Sequence, residues 1–242
     1  MDWERALRGF RMYLKLQRSL SDRTIEAYMG DVTKLRVFTE QQSPSQPPTA
    51  VKLEDLQAFV SSEARKGIAA TSQARLLSAV RMFFRSLRLD KAITDDPTEL
   101  LESPRTGRKL PVFLTKEEVN SIVDSIDLSR KLAHRDKAMI ETLYGCGLRV
   151  SELCGLRLSQ LMRDDGFIRV VGKGNKERLV PIGLEALHWI ELYLQHERVH
   201  LPVQANAGDH LFLNARGGGI SRVAVLLLVK KQALKAHVKK TI

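Results

Sequence analysis

Two short segments of the sequence combine residue types that could act on a phosphate group. In the first, residues 145–152 (GCGLRVSE), glycines end one predicted helix and Arg149 begins the next. A guanidinium held at a helix start offers a planar fork of N–H donors to a phosphate, and Glu152, one turn further on, could hold it there. An ordinary helical Arg–Glu pair is the alternative interpretation.

The second segment, residues 172–178 (GKGNKER), places Lys173 between two glycines. The runs 166–172 and 177–182 are rich in residues that favour strands, so the polar residues between them predict a β-hairpin with Lys173 in its turn. A lysine brought into a cleft by such a turn could stabilise, or protonate, an oxygen that leaves a phosphate. The glycine spacing does not match a P-loop, and a solvated surface turn is the alternative.

Helical periodicity predicts the N-terminal elements of the chain. Residues 1 to about 100 carry almost no strand signal, and Ser21 and Gly67 are expected to cap helices at their N- and C-terminal ends, respectively. Four helices are expected, at about 3–18, 22–42, 53–66 and 72–87.

The pattern becomes mixed after a connector that is rich in proline, glycine and basic residues. Thr115 and Glu118 form a capping box before a helix, and the predicted hairpin follows later. The apolar run 223–229 is expected to belong to the core. Further helices are expected at about 135–144, 183–198 and 221–237. The predicted organisation is a helical domain at 1–103, a linker at 104–111 and a mixed α and β domain at 112–242.

The composition excludes several classes of protein and favours a polyanionic partner. The 242 residues are 43% hydrophobic and 28% charged, and no apolar run is long enough to span a membrane. The N-terminus lacks the apolar core of a signal peptide. Cys146 and Cys154 are too few for a disulfide framework or a zinc finger, so reduced thiols in a cytoplasmic protein are expected. The net charge is +11, and residues 216–242 hold seven basic and no acidic residues, which favours nucleic-acid binding.

The chain resembles the tyrosine site-specific recombinase (phage integrase) family in a combination of four features. These are Arg149, the hairpin lysine 24 positions later, the all-helical N-terminal part and the basic connector. Within this family, the chain is similar above all to the bacterial Xer recombinases, of the XerC or XerD type. Residues 21–31 and 77–84 resemble the second and fourth helices of the family's N-terminal domain. Residues 144–153 and 172–178 match its catalytic-domain motifs closely. The resemblance covers essentially the whole chain.

The resemblance implies a two-domain fold that clamps duplex DNA. An all-α core-binding domain of four helices, SAM-like, would be followed by a mainly helical α+β catalytic domain with a small antiparallel sheet. It implies Arg149 as the first catalytic arginine, Lys173 as the hairpin lysine and Glu152 as a supporting acidic residue. No cofactor and no metal is expected, because arginines can neutralise the phosphate. Contacts with DNA are expected at Arg23, Thr24, Arg75, Arg81 and Arg222, with solvated surface charges as the alternative.

The sequence departs from the family pattern at its end. The family also requires a His-x-x-Arg motif, a second His or Trp and a nucleophilic tyrosine, all beyond a helix like that at 221–237. None of the four tyrosines matches the position of the nucleophile. We therefore expect a catalytic domain truncated at its C-terminus, which binds DNA without turnover. Its full-length form would cut and rejoin DNA through a 3′-phosphotyrosyl intermediate. A non-catalytic DNA-binding accessory protein is the main alternative, and a type IB topoisomerase is disfavoured by the core-binding domain.

The resemblance also carries expectations about partners and location. Members of the family usually act as tetramers, made of one or two kinds of subunit, on a duplex recombination site. Chromosome dimer resolution is the expected process, with a cell-division DNA translocase as a further partner. The expected location is the cytoplasm, in association with the nucleoid and without membrane insertion.

Overall fold

The computed structural model describes residues 1–42, 46–104, 112–172, 174 and 176–240. The chain divides into two compact units, Met1–Lys109 and Leu110–Ile242. Of the predicted linker, only Pro104 lies within the described residues.

The first unit is all-α and contains the four predicted helices. These are α1 (Trp3–Met12), α2 (Asp22–Gln42), α3 (Leu53–Arg65) and α4 (Ala70–Leu89). A π-helical turn, Tyr13–Gln17, extends α1, and a short 3-10 turn, Pro48–Ala50, precedes α3. The predicted all-α N-terminal fold is therefore confirmed.

The core of the first unit is centred on the aromatic residues of α4. Phe83 is fully buried and contacts three other rings, stacking on Trp3 at 5.7 Å and meeting Phe10 and Phe84 edge-on at 5.4 Å and 5.3 Å. Rings at such separations add to the stabilisation that burial of their apolar surface provides. The same contacts hold α1 against α4, so α4 has one buried face and one exposed face.

The second unit is mainly helical with one small sheet, as predicted. Its helices are α5 (Lys116–Asp124), α6 (Ala133–Gly145), α7 (Val150–Gly155), α8 (Leu184–His196) and α9 (Arg222–Lys235). Strands β1 (Leu161–Met162), β2 (Phe167–Val171) and β3 (Glu177–Pro181) form an antiparallel sheet in the order β1-β2-β3. Strands β2 and β3 are the predicted hairpin, with Val170 opposite Arg178.

The start of α6 differs from the prediction because a distant carboxylate caps it. The helix begins at Ala133 instead of about residue 135. Both carboxylate oxygens of Glu197 accept hydrogen bonds from the first turn, one from the backbone N–H of His134 and one from that of Arg135, each at 3.0 Å. A carboxylate satisfies the unpaired N–H groups of a helix start and interacts favourably with the helix dipole.

The expectation that the whole apolar run 223–229 belongs to the core is wrong. Val225 is fully buried, whereas Val223 and Leu227 are 64% and 61% exposed. Helix α9 packs along one side only, and at about 3.6 residues per turn every such helix directs part of a continuous apolar run away from its packed side.

Within the described part of the chain, no helix is both long and apolar enough to cross a membrane. Among the same residues, no three His, Cys, Asp or Glu side chains are grouped so that they could hold a metal ion.

Candidate functional site

Arg149 occupies the N-cap position of α7, directly after a tight reversal of the chain. Helix α6 ends at Gly145, and Gly147 then takes a left-handed conformation with φ +56, which a glycine adopts without steric cost. This reversal brings the backbone into extended geometry at Arg149 (φ −72, ψ 147), where α7 starts. The Arg149 side chain is 70% exposed, so its guanidinium is available to a ligand.

Glu152 connects the backbone and the side chain of Arg149. Its side chain is only 3% exposed. Glu152 Oε2 accepts a hydrogen bond from the Arg149 backbone N–H at 2.9 Å, and Oε1 accepts one from Arg149 Nη1 at 2.9 Å. The carboxylate therefore caps α7 and holds the guanidinium with the same group.

Arg178 is the residue of this site that the sequence interpretation did not single out. It lies on β3 and donates from Nη1 to Glu152 Oε1 and from Nη2 to Glu152 Oε2, both at 2.9 Å. Each carboxylate oxygen thus accepts two hydrogen bonds. Nothing in the spacing of 26 residues between Glu152 and Arg178 indicates such a contact, although Arg178 belongs to the motif that contains Lys173.

These contacts set the charge of the site. The Arg178 hydrogen bonds, followed by those from the Arg149 backbone and side chain, lower the pKa of Glu152 from 4.5 to about 2 against the opposing effect of burial. The same contact raises the pKa of Arg178. Two guanidinium groups around one carboxylate give the cluster a formal net charge of +1, which suits an anionic ligand.

Gly172 brings the backbone of the hairpin against this ion pair. A Cβ atom on Gly172 would lie 3.1 Å from Arg178 Nη1 and 3.4 Å from Glu152 Oε1. The Gly172 N–H donates to the Lys176 carbonyl at 2.8 Å, which closes the end of the hairpin. Lys173 follows directly in the sequence but lies outside the described residues.

In the first unit, Arg23 and Thr24 lie in the first turn of α2, and Arg75 lies on α4. Arg23 is exposed, and the Thr24 hydroxyl is hydrogen-bonded to the Ser21 hydroxyl at 2.9 Å. Arg75 Nη1 donates to Asp31 Oδ2 at 2.6 Å and to the Ala27 carbonyl at 3.2 Å. Asp31 is 2% exposed, and its burial raises the pKa of its carboxyl group. The structure thus fixes one edge of the Arg75 guanidinium, while the side chain remains 42% exposed.

The last two predicted DNA contacts have different surroundings. Arg81 is bound within its own unit, because Nη1 donates to the Ser103 hydroxyl at 2.8 Å and Nη2 donates to the Leu101 carbonyl. Arg222 is the exposed first residue of α9, and the Ser221 hydroxyl caps that helix by accepting from the Ala224 N–H at 3.2 Å. Within the described residues, the Arg81 side chain therefore has a structural role, whereas the Arg222 side chain has none.

The four tyrosines differ in their exposure. Tyr13 and Tyr193 are buried, and the Tyr193 hydroxyl accepts a hydrogen bond from the Leu213 N–H at 3.1 Å. Burial raises the pKa of Tyr193. Tyr28 is partly buried against the core of the first unit. Tyr144, near the end of α6, is 50% exposed and is the most accessible of the four.

Comparison with family models covers both units. Residues 112–242 match the model of the phage integrase family, and residues 7–91 match that of the phage integrase N-terminal SAM-like domain. The chain belongs to the phage integrase family. The predicted family membership and fold class are therefore confirmed.

Relatives of this integrase-family chain include tyrosine recombinases named XerD. The Proteus mirabilis protein is 40% identical over 92% of this chain and 70% of its own length, and the Chlorobaculum tepidum protein is 38% identical over 99% and 79%, respectively. The fold is shared with a lambda integrase dimer bound to a COC′ core site, with a TM-score of 0.73 and 16% identity over 99% of this chain and 83% of that one. A XerH recombinase bound to palindromic difH has a TM-score of 0.71 and 21% identity over 90% and 64%, respectively.

The lowered pKa of Glu152 predicts an acid-sensitive integrase-family fold. A carboxyl group whose pKa falls on folding stabilises the fold above its unfolded pKa, and this stabilisation is lost as the pH falls towards the folded pKa. Relative to Glu152→Gln, the native chain should lose about 2 kcal/mol of unfolding free energy between about pH 5 and about pH 3. Chemical denaturation of both proteins at several pH values measures this difference. Parallel stability curves for the two proteins would contradict the assignment.

Proposed function

We propose that this chain acts in site-specific DNA recombination, with Arg149 binding the phosphate at which the DNA strand is cut. Glu152 orients Arg149, and Lys173 delivers a proton to the departing oxygen. One observation carries the proposal: an exposed guanidinium is fixed at a helix start by a buried carboxylate, at the position that the family motif gives to its first catalytic arginine.

The chemistry proposed for the complete reaction is covalent catalysis. A tyrosine hydroxyl attacks the phosphodiester, which forms a 3′-phosphotyrosyl bond and releases a 5′-hydroxyl group. Because the phosphodiester energy is kept in the intermediate, the strands can be rejoined without ATP. Arg149 stabilises the negative charge that develops on the non-bridging oxygens, and a lysine at position 173 protonates the leaving 5′-oxygen.

We further propose that none of the four tyrosines of this chain is the nucleophile. Tyr13 and Tyr193 are buried, and Tyr28 is partly buried against a core, so these three side chains are less accessible to a phosphate than Tyr144. Tyr144 is exposed but precedes Arg149, whereas the family pattern places the nucleophile after both motifs. The 242 residues should therefore bind DNA without turnover. A second candidate function is that of a non-catalytic accessory protein that binds DNA.

A nicked suicide substrate, which traps any covalent DNA–protein adduct, tests whether any of the four tyrosines acts as the nucleophile. We expect no adduct with this chain, because no tyrosine is placed for attack. An adduct that maps to a tyrosine, and disappears in Tyr144→Phe, would identify Tyr144 as the nucleophile and refute this part of the proposal. Tyr28→Phe is the matched control, since it removes a hydroxyl from a partly buried tyrosine in the other unit.

The DNA interface is proposed to involve both units. Residues 1–103 would form the core-binding domain and residues 112–242 the catalytic domain, joined by the linker 104–111. The buried Asp31 would orient Arg75 towards a phosphate, in the same way that Glu152 orients Arg149. The proposed contacts are Arg23, Thr24, Arg75, Arg81 and Arg222.

The assembly and the biological process are proposed from relatives. One structural neighbour is a lambda integrase tetramer bound to a Holliday junction, and a tetramer of recombinase subunits on DNA is proposed for this chain as well. We propose chromosome dimer resolution in the cytoplasm, at the nucleoid, as the process, with a cell-division DNA translocase as a further partner. These proposals rest on the likeness to the XerD recombinases.

A further inference from the structure

Arg149 and Arg178 share a single carboxylate, but they bind it in different ways. Arg178 uses Nη1 and Nη2 on the two oxygens of Glu152, whereas the guanidinium of Arg149 uses only Nη1. We propose that Arg178 is a positioning residue. It binds both carboxylate oxygens of Glu152 as a fork and so keeps most N–H donors of Arg149 free for a phosphate. This inference rests on the proposed role of Arg149 as a phosphate ligand.

The number of hydrogen bonds that the Glu152 carboxylate can accept explains why Arg178 and Arg149 compete for it. A carboxylate offers about four lone-pair sites, and a bidentate fork is the strongest way for a guanidinium to occupy two of them. Arg178 takes two sites, and the backbone N–H and Nη1 of Arg149 take the others. If Arg178 were absent, two sites would open beside a guanidinium that already lies 2.9 Å from Oε1. Arg149 would then take up the fork itself and turn its donors away from the solvent.

The burial of the three side chains supports this division of roles. The exposed fraction is 3% for Glu152, 40% for Arg178 and 70% for Arg149. A buried carboxylate strongly requires a partner, because an unpaired charge in a desolvated position is costly. Arg178 meets that requirement from the strand, and the more exposed Arg149 is left to face a ligand.

Gly172 gives independent support, because its backbone lies directly against the fork. A side chain at this position would approach both Arg178 Nη1 and Glu152 Oε1. The fork therefore holds Glu152, in the first turn of the helix that begins after Arg149, close to Gly172, the residue that precedes Lys173. In this way one ion pair aligns the two sequence segments that the proposed reaction requires.

The test measures how fast phenylglyoxal modifies Arg149 in the whole chain, with the modified residue identified by mass spectrometry. The guanidinium nitrogens attack the carbonyl carbons of this reagent, so a carboxylate fork that occupies their N–H groups protects an arginine. In Arg178→Leu we expect the modification of Arg149 to slow by about fivefold or more, as a new ion pair would require. A variant that lost its structure would show the opposite change, because an unfolded Arg149 reacts faster.

A second substitution distinguishes competition for Glu152 from the other effects of removing Arg178. In the double variant Arg178→Leu with Glu152→Gln, the neutral amide cannot hold Arg149 in a charged fork, so fast modification should return. Arg163→Leu, which removes the same charge from an exposed turn, should leave the rate unchanged. An unchanged or faster rate in Arg178→Leu, or a slow rate that Glu152→Gln does not reverse, would overturn the inference.

The underlying role of Arg149 is tested separately by adding duplex DNA to the native chain. Protection of Arg149 by DNA is the expected result, and its absence would contradict the proposed phosphate contact. The comparison between the variants is made without DNA, so it decides the role of Arg178 whichever way the DNA experiment turns out.

Discussion

Raising the salt concentration from about 50 to about 200 mM is expected to weaken the binding of this chain to duplex DNA by about a thousandfold. The chain carries a net charge of +11, and each phosphate that a lysine or arginine neutralises releases condensed counterions. About six such contacts give a slope near −5 for the logarithm of the association constant against the logarithm of the salt concentration. Fluorescence anisotropy of a labelled duplex measures this slope.

Single substitutions test which residues contribute to the slope. Arg23→Ala and Arg222→Ala each remove an exposed cation proposed to contact DNA, and each should make the slope less steep by about 1. Arg163→Ala, an exposed arginine outside the proposed contacts, is the matched control and should leave the slope unchanged. A slope near zero for the native chain would show that its positive charge does not serve DNA binding.

Arg149→Ala is expected to slow DNA cleavage by about a hundredfold to a thousandfold and to change DNA affinity much less. Cleavage requires a nucleophile, so the experiment uses a chimera that joins this chain to the segment of a tyrosine recombinase that carries the family's nucleophilic tyrosine. Arg149 has an exposed guanidinium that uses only Nη1 on its carboxylate partner, and its other donors would act mainly on charge that develops in the transition state. Trapped adduct formation on a suicide substrate gives the rate.

Lys173→Ala in the same chimera distinguishes proton donation from simple charge neutralisation. A substrate with sulfur at the bridging 5′ position releases a thiolate, which leaves without a proton. Cleavage of this substrate should therefore be nearly normal in Lys173→Ala, whereas cleavage of ordinary DNA is slow. If the chimera cleaves the sulfur substrate well and Lys173→Ala does not, the lysine is not the acid. If affinity and rate fall together in both variants, Arg149 and Lys173 serve only to bind phosphates.

Local patterns in the sequence determined most of the secondary structure of this protein. The four N-terminal helices, the capping box of Thr115 and Glu118 and the β2–β3 hairpin were all predictable, because each depends on residues within a few positions of one another. The contact of Arg149 with Glu152 belongs to the same class, since residues three apart are neighbours at a helix start. The sequence therefore indicated the chemistry of the site before the structure gave its geometry.

Only the tertiary structure decided which distant groups complete these local elements. Arg178 reaches Glu152 across 26 positions, Arg75 reaches Asp31 across 44, and Glu197 caps the start of α6 across 63. Periodicity and capping patterns describe neighbours along the chain and contain no information about such pairs. An ion pair of this kind depends on the packing of a strand or a second helix against the first, and that packing comes from burial of apolar surface, which has no preferred partner in sequence. For the same reason the apolar run of α9 did not reveal which of its residues would be buried.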